Sequence, residues 1–132
     1  MTNIDYSAAA TADISFTYDR LGRLATVTDA QGARTFQYDP YTLALTNEVL
    51  VASGVTTSLA RAYDSLGRSA GYTLGGTTSV SSGYDYDDLG RFASVTWSGV
   101  DNVYTATYAY VVNSDLIAGY DVNVGTNVYK TR

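Results

Sequence analysis

The chain of 132 residues contains neither cysteine nor histidine. The first absence excludes disulfides, thiolate metal sites and thiol nucleophiles, and the second removes the commonest general base and metal ligand. Glutamate, lysine and proline occur once each, as Glu48, Lys130 and Pro40. Strong helix formers are therefore scarce. With a net charge of −5, the chain offers no basic cluster for nucleic-acid phosphates or a sulfated glycan. No apolar run approaches the roughly 18 residues needed to span a bilayer as a helix, and Met1-Thr2-Asn3-Ile4-Asp5 lacks the basic start and apolar core of a signal peptide, so a soluble chain without membrane insertion is expected. No cofactor or metal motif is recognisable, and none is expected.

What the chain has instead is tyrosine, 13 of them, together with abundant valine and threonine, the composition of an all-β domain. It also has a repeat. Tyr18-Asp19-Arg20-Leu21-Gly22-Arg23-Leu24-Ala25-Thr26-Val27-Thr28 returns as Tyr86-Asp87-Asp88-Leu89-Gly90-Arg91-Phe92-Ala93-Ser94-Val95-Thr96, and a third copy is Tyr63-Asp64-Ser65-Leu66-Gly67-Arg68. Recurrence at roughly twenty to twenty-five residues marks an array of supersecondary units that bury themselves against their neighbours.

Each unit reads as a hairpin. Aromatic residues two apart (Phe16 and Tyr18, Phe36 and Tyr38, Tyr84 and Tyr86, Tyr108 and Tyr110) share one face of a strand. The following aspartate accepts a backbone hydrogen bond and starts a turn, and the glycine three positions on supplies positive φ, which predicts a type I turn closed by a glycine bulge. Leu24 and Val27, like Phe92 and Val95, are three apart, so the returning strand is predicted to be bulged or strongly twisted. The structural turn residues are Tyr18, Asp19, Gly22 and Arg23; Tyr38 and Asp39; Tyr63, Asp64, Gly67 and Arg68; and Tyr86, Asp87, Gly90 and Arg91. Asp19 with Arg23, Asp64 with Arg68 and Asp87 with Arg91 are placed to pair across their tips, each exposed pair contributing about 0 to 1 kcal/mol.

In chain order, residues 1–12 read as a lead-in and 13–132 as about five repeat units. The tip Asp39-Pro40-Tyr41-Thr42 diverges, with Pro40 at the position a type I turn prefers. Strands 46–52 and 55–63 are expected to turn about Ser53-Gly54, Gly75-Gly76 makes a further reversal, and the tip at Val111-Val112-Asn113-Ser114-Asp115 has lost its glycine. Strands from Leu116 to Val122 and Asn127 to Thr131, with a turn near Asn123-Val124-Gly125, complete the array. The last strand reaches no further tip, which reads as a piece of a longer array truncated at its C-terminus.

The pattern Tyr-Asp-x-Leu-Gly-Arg-[Leu/Phe]-x-x-Val-Thr resembles the repeat of the Rhs, or YD-repeat, family, over about residues 14–131. That family includes bacterial Rhs and wall-associated proteins, the cage subunits of insecticidal toxin complexes and the shell of animal teneurins. The resemblance implies repeated antiparallel hairpins in a long, twisted and curved sheet that forms part of a hollow shell, which in bacterial members encloses a C-terminal toxin released by self-cleavage at a plug region. No plug-like Asp-Pro-x-Gly stretch occurs, since Asp39-Pro40 is followed by Tyr41-Thr42, so neither protease nor toxin is carried over. About eleven strands at about 4.8 Å give a sheet roughly 50 Å across, too narrow to close a cage alone. Open edges then predict self-association.

The expected function is a structural segment of such a shell, encapsulating or presenting a toxin or effector in a larger secreted or surface protein of bacteria, with the remainder of the shell as partner and no enzymatic activity. The alternative is a carbohydrate-binding or adhesive module in which Trp97, outside the repeat pattern, stacks on a sugar while Asp101, Asp87 or Asp88 accepts hydroxyl hydrogen bonds; against this, the paired aromatics are expected to fill the core between strands. A two-aspartate glycosidase needs carboxylates about 5 to 9 Å apart, but nearly every aspartate is accounted for by a turn. A calcium site at Asp85-Tyr86-Asp87-Asp88 gathers two or three oxygens where Ca²⁺ takes about six to eight.

Overall fold

A computed structural model describes residues 2–4 and 13–131. All of the regular structure there is β: Thr2–Ile4 (β1), Ile14–Tyr18 (β2), Leu24–Thr28 (β3), Gly32–Tyr38 (β4), Leu45–Ala52 (β5), Val55–Tyr63 (β6), Ser69–Gly75 (β7), Val80–Tyr86 (β8), Phe92–Ser98 (β9), Val103–Tyr110 (β10), Ile117–Val124 (β11) and Asn127–Thr131 (β12). No helix long and apolar enough to cross a membrane occurs among the described residues. The chain divides into two compact units: one carries residues up to 61 with 74–77, the other 62–73 with the residues from 78 onward.

In the first unit, β1 pairs with β2, β2 with β3, β3 with β4, β4 with β5 and β5 with β6, all antiparallel. In the second, β8 pairs with β9, β9 with β10, β10 with β11 and β11 with β12, again antiparallel. The expected all-β array of antiparallel hairpins is the observed one, with twelve strands among the described residues in place of about eleven. The extra strand is β1, inside the segment read as a lead-in: Thr2 lies opposite Phe16 and Ile4 opposite Ile14. The alanine-rich stretch 7–12 of that lead-in lies outside the described residues.

The returning strands are bulged, as the three-residue spacing predicts. Thr17 faces Thr26 but Tyr18 faces Leu24, which leaves Ala25 as the extra residue on β3. The same step leaves Ala93 extra on β9, Thr46 on β5 and Ala118 on β11. The bulge has a consequence for the whole layer. It sets Leu24 opposite Tyr18 and Val27 opposite Phe16, so apolar residues three apart in sequence reach the same face as the aromatic pair.

One face of each unit is therefore aromatic and aliphatic. In the second unit, Tyr84 and Tyr86 lie opposite Val95 and Phe92, Trp97 opposite Tyr104, and Tyr108 opposite Tyr120. The other face is hydroxyl-rich: Thr17 and Thr26 share a hydrogen bond of 2.6 Å, Thr96 and Thr105 one of 3.3 Å, and the Ser94 hydroxyl donates to Asp85 at 2.8 Å.

No apolar side chain is fully buried among the described residues. This corrects the expectation that the paired aromatics fill a core: they lie side by side on one face, half-covered by cross-strand neighbours. Alternation in sequence dictates that a face is apolar and leaves open whether anything covers it. Two glycines mark close backbone approach: a Cβ at Gly71, whose φ is +133°, would run into the carbonyl oxygen of Ser82, and one at Gly32 into that of Val51.

Candidate functional site

The feature that recurs is the hairpin tip. At the first, the Asp19 amide donates to the Arg23 carbonyl (2.8 Å) and the Gly22 amide to the Asp19 carbonyl (3.0 Å), and the same pair of bonds closes the tips at 64–68 and 87–91. Gly22, Gly67 and Gly90 hold φ of 78°, 78° and 80°, the left-handed conformation that closes a type I turn with a glycine bulge.

The aspartate side chain fixes each tip from inside. Oδ1 of Asp19 accepts from the Leu21 and Arg23 amides at 2.8 and 2.9 Å, and Oδ2 accepts from Nε of Arg23 at 2.7 Å, with Nη2 also at 2.7 Å. Asp64 does the same with Leu66 and Arg68, and Asp87 with Leu89 and Arg91. Asp19 titrates below the usual aspartate range chiefly through the Arg23 amide hydrogen bond. For Asp64 and Asp87 partial desolvation is the largest single influence and acts upward, but hydrogen bonds from the arginine side chain and two amides together outweigh it and the carboxyl is again held low.

The arginine then reaches beyond its own hairpin. Arg23 lies over the ring of Tyr38 at 4.2 Å, Arg68 over Tyr86 at 4.1 Å and Arg91 over Tyr110 at 4.0 Å. Each covered tyrosine returns a hydrogen bond to the carbonyl of the residue after that arginine: Tyr38 to Leu24 (3.0 Å), Tyr86 to Ser69 (2.8 Å) and Tyr110 to Phe92 (2.9 Å). Nη1 of Arg91 also donates to the Ser114 carbonyl at 2.7 Å, and Nη1 of Arg23 to the Leu43 carbonyl at 3.4 Å. The result is a clamp of aspartate, arginine and the next tip's tyrosine that ties consecutive tips together. The pairing of Asp19 with Arg23 was expected from the sequence and the tyrosine was not; the available signal was a tyrosine ending the strand that enters the tip after each Gly-Arg tip, at Tyr38, Tyr86 and Tyr110.

Two tips depart from the pattern. Around Asp39 the loop is one residue longer than expected, closing from Asp39 to Ala44, with Leu43 at φ 64° in the glycine's place and the Tyr41 and Thr42 amides on Asp39 Oδ1. Without a glycine at the fourth position, the chain needs an added residue before it can turn back. At Val111–Leu116, Asn113 takes the positive φ (59°) and the Ser114 hydroxyl accepts the Leu116 amide. Tyr63 precedes the third tip, at the end of β6.

Trp97 does not stand apart as its position in the sequence suggested. Its ring lies 5.3 Å from that of Tyr104 on the aromatic face, 43% exposed. Asp85 and Asp87 do not share a site, because Asp85 is engaged by Ser94 and both oxygens of Asp87 by its own turn. No cluster of three or more acidic residues able to hold a metal occurs among the described residues.

Antiparallel hairpins in tandem within each unit, with the three Gly-Arg tips clamped to the tyrosine before the tip that follows, define a hairpin-repeat protein. Residues 15–43, from β2 through the tip that follows β4, match the family model of the RHS Repeat, which supports assigning the chain to the Rhs, or YD-repeat, family. A search of the curated proteins finds no match to the chain.

Proposed function

We propose that the chain is a structural wall segment, not an enzyme, belonging to a larger Rhs-type protein that encapsulates or presents a toxin or effector and is secreted or displayed at a bacterial surface. One observation carries the reading: each unit has an aromatic face and a hydroxyl face, and no apolar side chain in the described residues is fully buried. Such a layer gains stability when its aromatic face meets an enclosed polypeptide or a further part of the wall. The remainder of the shell is then its partner, with association through strand edges when the chain is alone. Light scattering over a hundredfold range of concentration tests this: the average mass is expected to rise above that of one chain, and a one-chain mass throughout contradicts it.

A second reading, carbohydrate binding, rests on Trp97 and Tyr104, both partly exposed side by side on that face. Titration with oligosaccharides separates the two readings, since sugar stacking on Trp97 quenches the fluorescence of the single tryptophan, whereas the wall reading expects no response.

A further inference from the structure

The apolar face of the first unit is interrupted at one place by charge. Glu48 on β5 faces Phe36 and Leu59 across its two neighbouring strands and receives two guanidinium groups: Nε of Arg34 lies 3.3 Å from Oε1, and Nη2 of Arg61 lies 3.3 Å from Oε2. Two cations meet one anion, so the cluster keeps a net charge of about +1 within a low-polarity surface. The two arginines differ in what remains to them. Nη1 of Arg61 is buried and unpartnered, a desolvated donor with no hydrogen bond to offset its burial. Arg34 is half exposed and meets Glu48 through Nε.

Arg34 also forms the shared wall of two hollows on this face. The larger, about 450 Å³, is bounded by Leu24, Val27, Phe36, Leu50 and Ala52, and the smaller, about 180 Å³, by Leu50, Leu59 and Leu74. Asp29 also lines the larger hollow, and its Oδ1 accepts the amides of Gln31 and Gly32. A half-exposed guanidinium in a cluster with excess positive charge, at the rim of an apolar hollow, is complementary to a carboxylate on an apolar body. We propose that this face binds small apolar monocarboxylates, with the carboxylate on the Nη groups of Arg34 and the hydrocarbon against Val27, Phe36 and Leu50. The inference goes beyond the wall reading and does not depend on it.

Octanoate serves as the probe, with octanol as its uncharged counterpart, added to the full chain labelled with ¹⁵N. Saturable shifts of amides in β3 to β6 are expected with octanoate, with octanol binding at least about tenfold more weakly. Arg34→Gln is expected to weaken octanoate roughly ten- to hundredfold, the loss of a charge-assisted hydrogen-bond pair. Its circular dichroism is expected to match the parent, since Arg34 is half exposed. Absence of saturable shifts at millimolar octanoate overturns the proposal, as does octanol binding equally well, a comparison that needs no variant. Unchanged octanoate affinity in a folded Arg34→Gln chain overturns it too.

Discussion

The guanidinium of Arg91 lies 4.0 Å from the ring centroid of Tyr110, and the Tyr110 hydroxyl donates back to the carbonyl of Phe92, the residue that follows the arginine. The two residues close a small circuit between consecutive hairpins that neither could close alone. An exposed cation–π contact contributes about 0.5 to 1 kcal/mol and the hydroxyl bond about 0.5 to 1.5 kcal/mol. Chemical denaturation is expected to show Tyr110→Phe losing only the second contribution, Tyr110→Ala both, and Arg91→Lys a partial loss because the fork onto Asp87 is broken. A double-mutant cycle of Arg91→Ala with Tyr110→Ala should show a positive coupling. Strict additivity would mean the two residues do not act together.

Two glycines distinguish turn strain from steric approach. Gly22 has φ of 78° and nothing within 4 Å of an added Cβ, so Gly22→Ala is expected to cost about 1 to 2 kcal/mol and Gly22→Asn less. At Gly71 the added Cβ would collide with the Ser82 carbonyl, and Gly71→Ala is expected to cost about 3 kcal/mol or more as the strands are forced apart. Melting temperatures in the reverse order would contradict this assignment.

Acid should loosen the tips. Asp19, Asp39, Asp64 and Asp87 are all held below the usual aspartate range. A carboxyl whose folded pKa is depressed contributes stability that is complete above its unfolded value and is lost as pH falls through its folded value. The melting temperature is therefore expected to be level with respect to these groups down to about pH 5 and to fall below about pH 4. A chain carrying Asp19→Asn, Asp64→Asn and Asp87→Asn should be less stable at neutral pH and show a shallower acid slope. An unchanged slope would place the acid sensitivity elsewhere.

The tip leucines should be dispensable for folding. Leu66 and Leu89 are 75% and 74% exposed, and their amides, not their side chains, hold the turn. Leu66→Ser and Leu89→Ser are expected to change stability by less than about 0.5 kcal/mol. A larger loss on thermal denaturation would show that the side chains pack in solution.

How far the sequence carries this molecule depends on the range of the interaction. The turns at Asp19, Asp64 and Asp87 are local, written within five residues, and the Leu24–Val27 spacing announced the bulge at Ala25. The reach of Arg23 to Tyr38 is not local: it requires β3 and β4 to be neighbours in register before the two residues can be recognised as partners. Loop length at Asp39 was misjudged because the left-handed residue there is Leu43, a type that gives no such warning. That no apolar side chain among the described residues is fully buried was likewise hidden. Phe16, Tyr18, Tyr84 and Tyr86 alternate as they would in a sandwich, and alternation is the same whether or not a second layer covers the face.

The central claim is that bulged, clamped hairpins bring the repeat aromatics of each unit to one face of its sheet. Nuclear Overhauser contacts among aromatic side chains test it most directly. The account predicts ring-to-ring contacts for Tyr84 with Phe92, Trp97 with Tyr104 and Tyr108 with Tyr120, together with contacts from the Tyr110 ring to the Arg91 side chain. Contacts from these rings to Thr96 or Thr105 in their place, the hydroxyl-face residues of β9 and β10, would contradict it.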